Sequence, residues 1–417
     1  MHLRIQGFIL LWITAGVITE SSIAEEYAES AFEKADLSLR QFVEDVVATN
    51  PRVKAARVSL TSEQTMRDAK AQPLYNPDFD VDVESTDSLY GTVGISQQFD
   101  WNGKRKARTE IADSNLLVAE AEFRAFRQAF VVDLLNGLTG YQIGRTRYDL
   151  VQERQQLMNN LVNRAQSRFE AGDISQVELN LVELAAMNVR MRNAQVQVKQ
   201  LQTQKELQKL TPHTNMAQWP ELPDDIPELP KDIEPNLVLQ QLPAVQIAKL
   251  LVETNDSLAE LRRRERRPDP TVSLKGGQDD KEFLIGLSIN IPLFVRNSYK
   301  YEVEAAIAER SESQLIADDV LYRTRVDLEN STAQLRVLQS AWDDWQATSE
   351  ESLSSPLDQL QRLWETGELS TTDYVVQLTE TLEVRESALD LKESLWQAWF
   401  QWLLASGRID IWIGVES

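Results

Sequence analysis

The sequence predicts a mainly α-helical fold with a small β part. Long antiparallel coiled-coil helices are joined to four short strands per chain. Three observations predict this. A tight-turn segment at residues 168–179, RFEAGDISQVEL, returns at residues 363–374 as LWETGELSTTDY. Long stretches with helical spacing flank both turns. Short segments that alternate strictly between apolar and polar residues precede each long stretch.

The two turns match residue by residue at a constant offset of 195: Phe169 with Trp364, Glu170 with Glu365, Gly172 with Gly367, Ser175 with Ser370, and Glu178 with Asp373. Each Gly can leave the first helix through a left-handed residue, which costs little without a Cβ. Each Ser can N-cap the next helix, with an acid three positions on to complete a capping-box-like arrangement. A helix–turn–helix tip that occurs twice implies a duplicated chain.

Bulk composition narrows the function classes. The formal net charge of −22 over 417 residues argues against a nucleic-acid partner, which would need a basic face. The start reads as a secretory signal over residues 1–24. Arg4 precedes an apolar run over residues 5–18, and Ser22, Ile23 and Ala24 resemble a small-x-small cleavage site. A single anchoring helix is the alternative, although the run is shorter than the ~20 residues a span needs. Cysteine is absent, which excludes disulfides, zinc–thiolate sites, a Cys nucleophile and a lipidated Cys. His213 stands alone in a Pro-rich region and reads as a surface residue rather than a metal ligand.

In chain order, Ser38 can cap a short amphipathic helix, LRQFVEDVVAT, with Gln41 completing S-x-x-Q. Pro51 opens the next helix, to about Gln72. Residues 78–84 then alternate, with Phe79, Val81 and Val83 on one face and acids on the other. Residues 92–99 do the same, with Val93, Ile95 and Phe99 on one face, and a turn around residues 86–89 makes a hairpin. A soluble half-buried hairpin and a pair of transmembrane strands would look alike here. The first long helical stretch follows, 66 residues without Pro over residues 104–169. As one helix it would be roughly 100 Å long. Gly137, Gly140 and Gly144 inside it suggest close packing or a local bend. The return helix runs from Ser175 to about Leu210. Val177, Leu184, Met191 and Val198 recur every seven residues, with Met187, Ala194 and Leu201 beside them, and read as a coiled-coil seam.

Residues 211–236 form a Pro-rich, acidic connector. It separates a first repeat, residues 25–210, from a second, residues 237–405, and residues 406–417 form a tail. The second repeat reads as a helix over about residues 244–266, strands at 271–275 and 283–291, and a long arm from 297 to 364 interrupted by Pro356. Its tip and a return helix to about residue 405 complete the copy. Pro268-Asp269 matches Pro77-Asp78, and Gly286-Leu287-Ser288 matches Gly94-Ile95-Ser96 at an offset of 192. Trp396, Trp399 and Trp402 lie on one helical face and read as packing residues.

Four strands cannot close a barrel, and open edges are not tolerated in lipid. If these strands span a membrane, several chains must share one barrel. Three copies would supply twelve strands, and a closed threefold ring would satisfy every edge. The order of elements, the paired F/W-E-x-G-x-x-S tips and the segment FDWNGKRKAR resemble the TolC family of bacterial outer-membrane efflux proteins. Gly103-Lys104-Arg105 and the first tip resemble its heavy-metal efflux (CzcC-like) branch.

The resemblance implies a homotrimeric duct with a shared twelve-stranded transmembrane β-barrel and a periplasmic α-barrel. It implies that the tips meet a periplasmic adaptor, at Ala171, Gly172, Asp173 and Ser175 and at Thr366, Gly367, Glu368 and Ser370. The adaptor would link the duct to an inner-membrane pump of the RND type. It also implies that Glu178 and Asp373 line the constriction of the tube, where rings of carboxylates favour cations. The same two residues, read alone, are first-turn acids that suit the helix dipole. Val376 stands where the family can carry a further constriction acid. The expected function is passive export of small solutes, with heavy-metal cations among the candidates. No catalytic motif, metal site or cofactor is expected. A type I protein secretion duct and a soluble periplasmic coiled-coil adaptor remain as other readings.

Overall fold

The computed structural model describes residues 34–85, 89–230, 235–279, 282–352 and 356–414. The expected leader over residues 1–24 and the first hairpin's turn at residues 86–88 lie outside them. The elements in order are α1 (Leu37–Thr49), α2 (Pro51–Ala71), β1 (Asp78–Ser85), β2 (Leu89–Gln98), α3 (Lys104–Ala171) and α4 (Gln176–Leu210). Then come α5 (Pro235–Gln241), α6 (Pro243–Glu265), β3 (Thr271–Asp279), β4 (Glu282–Asn290), α7 (Lys300–Ser352), α8 (Pro356–Glu365), α9 (Thr371–Ala405) and α10 (Ile409–Ile413). Among the described residues the chain is thus mainly helical, with four strands. Two compact units form, each drawing on both halves of the sequence.

One unit comprises Val47–Phe130 and Pro235–Gln334 and holds the sheet. Asn50 caps α2 by accepting from the Arg52 N–H at 2.8 Å, and Pro51 and Pro243 occupy first turns. The sheet is an antiparallel meander in the order β1-β2-β3-β4. Its register sets Phe79, Ile95, Leu274 and Leu287 in one cross-strand row, and Val81, Val93, Gly276 and Ile285 in the next. The apolar face is exposed, with Phe79 at 70%, Ile95 at 58% and Leu287 at 71%. The opposite face carries Asp80, Gly94, Lys275 and Gly286 in one row and Asp82, Thr92, Gly277 and Leu284 in the next. Strand β3 is longer than the sequence suggested. It continues through Gly276 and Gly277 because β2 lies so close that a Cβ at Gly277 would meet the Thr92 Cα at 2.8 Å.

The other unit comprises Met1–Val46, Val131–Glu234 and Leu335–Ser417. Trp396, Trp399, Phe400, Trp402 and Trp412 are buried together, with Trp399 stacked on Trp402 at 5.1 Å. Arg40 of α1 closes this core by donating to the carbonyl of Ile413 at 2.7 Å. Ser38 lies inside α1 rather than at its cap, since the helix begins at Leu37 and Arg40 N–H already donates to Asp36 O. The close-packing reading of the glycines holds. A Cβ at Gly144 would collide with the Gln200 side chain of α4, and one at Gly137 would touch Leu207 at 3.4 Å. Tyr141 meets Trp219 of the connector edge-on at 4.7 Å.

The seam on α4 lies elsewhere than expected. Leu179, Val182, Ala186, Val189, Asn193 and Val196, spaced alternately by three and four, are buried. Val177, Leu184, Met191 and Val198 are exposed, at 55–76%. The helix carries two apolar stripes, and a seven-residue repeat marks both without saying which one the chain itself covers.

Candidate functional site

Each tip is built by local rules from its own sequence. Gly172 and Gly367 are left-handed, with φ of 82° and 77°. The turn after α3 is closed by Gly172 N–H donating to Phe169 O at 3.0 Å and Asp173 N–H donating to Arg168 O at 2.8 Å. The turn after α8 repeats this, with Gly367 N–H to Trp364 O at 3.2 Å and Glu368 N–H to Leu363 O at 2.9 Å. These are Schellman-like stops, which return the last carbonyls of a helix to N–H partners.

Ser175 and Ser370 then start the return helices. Ser175 Oγ accepts from Glu178 N–H at 3.3 Å, while Glu178 Oε2 accepts from Ser175 N–H at 2.8 Å. Ser370 Oγ accepts from Asp373 N–H at 3.1 Å and donates to Asp373 Oδ2 at 2.7 Å. The backbone and hydroxyl donors of Ser175 hold the Glu178 carboxyl below its ordinary range, with Arg168 adding to the effect. Both expected constriction acids therefore engage the cap of their own helix. Among the described residues, the structure places them at homologous points and leaves both tips exposed.

The two tips share one core. Met158, Leu161 and Ala165 of α3, Leu179, Val182 and Ala186 of α4, Trp364 of α8, and Tyr374, Leu378 and Leu382 of α9 pack together. Trp364 is its centre, stacked on Tyr374 at 5.1 Å and donating from Nε1 to Thr371 Oγ1 at 3.2 Å. Arg168 lies over the Trp364 ring at 5.4 Å and donates to its carbonyl at 3.3 Å. Arg164 adds an ion pair to Glu365. Burial pushes the Tyr374 hydroxyl pKa up, partly opposed by Arg164. Above this core a polar layer crosses three helices: Glu386 of α9 accepts from Arg192 of α4 at 2.7 Å and lies 4.0 Å from Arg154 of α3. Beside it, Asn193 of α4 accepts from Gln152 of α3 at 3.0 Å.

The Gly-Lys-Arg run has a definite task. Gly103 is left-handed, with φ of 68°, and Asp100 caps α3 through both oxygens, to Lys104 N–H at 2.8 Å and Arg105 N–H at 2.7 Å. Lys104 Nζ turns into the protein, donating to Asp269 Oδ2 at 3.0 Å and to Arg267 O at 2.8 Å. Tyr75 donates to the same Asp269 oxygen at 2.7 Å. Burial, then the bond to Asp269, push the Tyr75 pKa up to about 12. One buried carboxylate thus ties the approach to β1, the start of α3 and the approach to β3. Sequence reasoning missed Asp269, and its only signal was the repeated Pro-Asp pair.

His213 is exposed, and no cluster of metal-ligating side chains occurs among the described residues. No helix among them is long and apolar enough to cross a membrane.

Residues 42–212 match the family described as outer membrane efflux protein. The chain is 23% identical over 261 residues to the cobalt-zinc-cadmium resistance protein CzcC of Cupriavidus metallidurans, covering 60% of this chain and 62% of that protein. It is 23% identical over 289 residues to the nickel-cobalt-cadmium resistance protein NccC of Alcaligenes xylosoxydans xylosoxydans, covering 66% and 64%. The chain therefore spans somewhat under two thirds of the length of these relatives. Its fold is similar to the Campylobacter jejuni CmeC outer membrane channel, with a TM-score of 0.74 and 14% identity over 98% of this chain and 94% of that one. A membrane protein from Pseudomonas aeruginosa is similar at a TM-score of 0.76 and 14% identity, over 91% and 95%. The match to the outer membrane efflux protein family thus runs from α1 through the first hairpin, the first tip and α4.

Proposed function

We propose that the protein is the outer-membrane duct of a tripartite efflux system, three copies forming one passive channel. The observation that carries this reading is the sheet. Its apolar face is exposed along all four strands, and β1 and β4 each have a strand on one side only. Such a sheet suits lipid on its apolar face, but only when its edges are paired. A soluble adaptor would have no use for it. The residue 25–210 and 237–405 repeats supply two strands and one helical tip each, so three chains give twelve strands and six tips.

In this reading the tips, from Ala171 to Ser175 and from Thr366 to Ser370, meet a periplasmic adaptor that connects to an inner-membrane pump of the RND type. Glu178 and Asp373 form rings at the constriction, held at helix N-termini by their caps. The pump supplies the energy, and the adaptor shifts the tips from a closed to an open arrangement. Cations are the favoured cargo. The polar face of β1 presents Asp78, Asp80, Asp82 and Glu84, whereas Lys275 is the single basic residue of the four strands. The resistance named for the two relatives, to cobalt, zinc, nickel and cadmium, points the same way.

The test is the current through purified protein in a planar bilayer, with and without Glu178→Ala and Asp373→Ala. A small cation-preferring current that rises in the double variant supports the duct and the tip constriction. A current unchanged by both substitutions returns the two acids to capping alone. Absence of any current, from a protein that stays in solution without detergent, refutes the duct.

A further inference from the structure

Resting on the membrane-spanning reading of the sheet above, we infer that the rim where the strands meet their helices binds anionic phospholipid headgroups, through Arg105, Arg267 and Arg296. The partner is the lipid leaflet at that end of the sheet, recognised by the negative charge of its phosphodiesters.

Charge divides unevenly between the two ends of the sheet. Helices lead into β1 and β3, and β2 and β4 lead out into helices, so all four joins lie at one end of the meander. The joining segments, residues 67–77, 99–108, 260–270 and 291–300, hold thirteen basic and five acidic residues. Their net charge is +8 in a chain whose formal net charge is −22. The hairpin end is the reverse. Residues 84–90 and 278–283 hold five acids and one base.

Much of the basic charge at the helix end is engaged within the protein. Lys104 is buried against Asp269, Arg262 pairs with Glu265 at 2.7 Å, and Arg264 reaches Glu260 at 3.0 Å and the Gly103 carbonyl at 2.8 Å. Arg105, Arg267 and Arg296 differ. Each is exposed, and no acid pairs with their side chains among the described residues. Backbone contacts bring the three to one rim. Lys104, next to Arg105, donates to the Arg267 carbonyl at 2.8 Å. Arg266, next to Arg267, donates to the Ser298 carbonyl at 3.1 Å, in the link that carries Arg296. Phe294 meets Tyr299 edge-on at 5.1 Å and braces that link.

The rim begins where the apolar rows end. On β2 the exposed row of Val93, Ile95 and Phe99 continues in phase to Trp101, which is 74% exposed. On β4 the row of Ile285, Leu287, Ile289 and Ile291 continues to Leu293 and Val295, at 78% and 85%, and the next residue is Arg296. Trp belongs at the boundary between hydrocarbon and headgroups. An arginine stem there lies along hydrocarbon while its guanidinium stays among the headgroups, where a planar fork matches phosphate oxygens. A soluble anion would account for the arginines but not for the apolar residues that run up to them.

The test uses Trp101, the one Trp in residues 47–130 and 235–334, as the reporter. Full-length protein and its Trp101→Phe variant are reconstituted in phosphatidylcholine vesicles that contain an equal fraction of brominated phosphatidylglycerol or brominated phosphatidylcholine. Bromine quenches on contact, and the difference between the two proteins isolates Trp101. Phosphatidylglycerol should associate about five-fold more strongly than phosphatidylcholine, the ratio that one arginine near an anionic surface supplies. Changing Arg105, Arg267 and Arg296 together to Gln should abolish the preference, and changing them to Lys should keep it. Inorganic phosphate in excess, at matched ionic strength, should leave the preference standing. Equal quenching by both lipids, or a preference that survives the three Gln substitutions, overturns the inference while the membrane-spanning sheet stands. A preference lost to inorganic phosphate overturns it in favour of a free-anion site. Quenching of Trp101 by neither lipid sinks the membrane-spanning reading together with the inference.

Discussion

Replacing Lys104 by Met should cost the fold several kilocalories, and replacing its partner as well should return a large part of that cost. The Lys104 and Asp269 side chains are 10% and 1% exposed, and their charged atoms lie 3.0 Å apart. Lys104→Met keeps much of the aliphatic stem but leaves the Asp269 carboxylate buried with only the Tyr75 hydroxyl. Breaking one side of a buried pair costs about 3–5 kcal/mol, because the remaining charge is uncompensated. Asp269→Asn alone leaves the ammonium with the Arg267 carbonyl, and should cost less. The double variant buries no charge, so its loss should fall short of the sum of the singles by about 1–3 kcal/mol. Guanidinium unfolding of the detergent-solubilised protein, followed by far-UV circular dichroism, measures all four corners of the cycle. Additive losses, or a Lys104→Met loss below about 1 kcal/mol, would show that the pair is incidental to the junction.

Other perturbations test other parts of the account. Gly172→Ala should destabilise by about 1–2 kcal/mol, a cost of the left-handed backbone alone, since nothing lies within 4 Å of a Cβ built there. Gly172→Asn should lose less, and equal losses in thermal melts would contradict the turn assignment. The Glu178 pKa is depressed in the folded tip, so its contribution is present above the ordinary carboxylate range and lost as pH falls through the folded value. Amide exchange in the first turn of α4, corrected for its intrinsic pH dependence, should show less protection below about pH 4 than at neutrality, and Glu178→Gln should flatten that dependence. Trp364→Ala should cost about 3–5 kcal/mol and loosen both tips together, because Trp364 packs on Tyr374 and under Arg168. Unchanged exchange at residues 168–179 would separate the two tips. Neutralising Asp78, Asp80 and Asp82 together should shift the reversal potential towards weaker cation preference, and an unmoved potential would remove β1 from the selective path.

The sequence was most informative where a local rule has one structural solution. The tips are such a case: Gly at the stop, Ser at the cap and an acid three residues on gave the turn, the break and the next helix. The alternating strands gave their faces correctly, although alternation could not say whether lipid or a core would cover the apolar side. Rules with two solutions failed. Two apolar stripes run along α4, and the seven-residue spacing of Val177, Leu184, Met191 and Val198 pointed to the one that this chain leaves exposed. Ser38 had the right residue pattern for a cap, but α1 starts one residue before it. Gly276-Gly277 looked like the end of a strand, whereas Gly277 lets β3 lie against β2. Pairings distant in sequence were invisible. Nothing near Lys104 announces that its partner is Asp269, 165 residues on.

In the proposed duct, one open sheet becomes a pore only when copies share it. The most direct test is the protein mass of the purified detergent particle, measured by light scattering with the detergent contribution removed. Three chains per particle are expected. A stable, folded particle of one chain, with β1 and β4 unpaired, would contradict the duct.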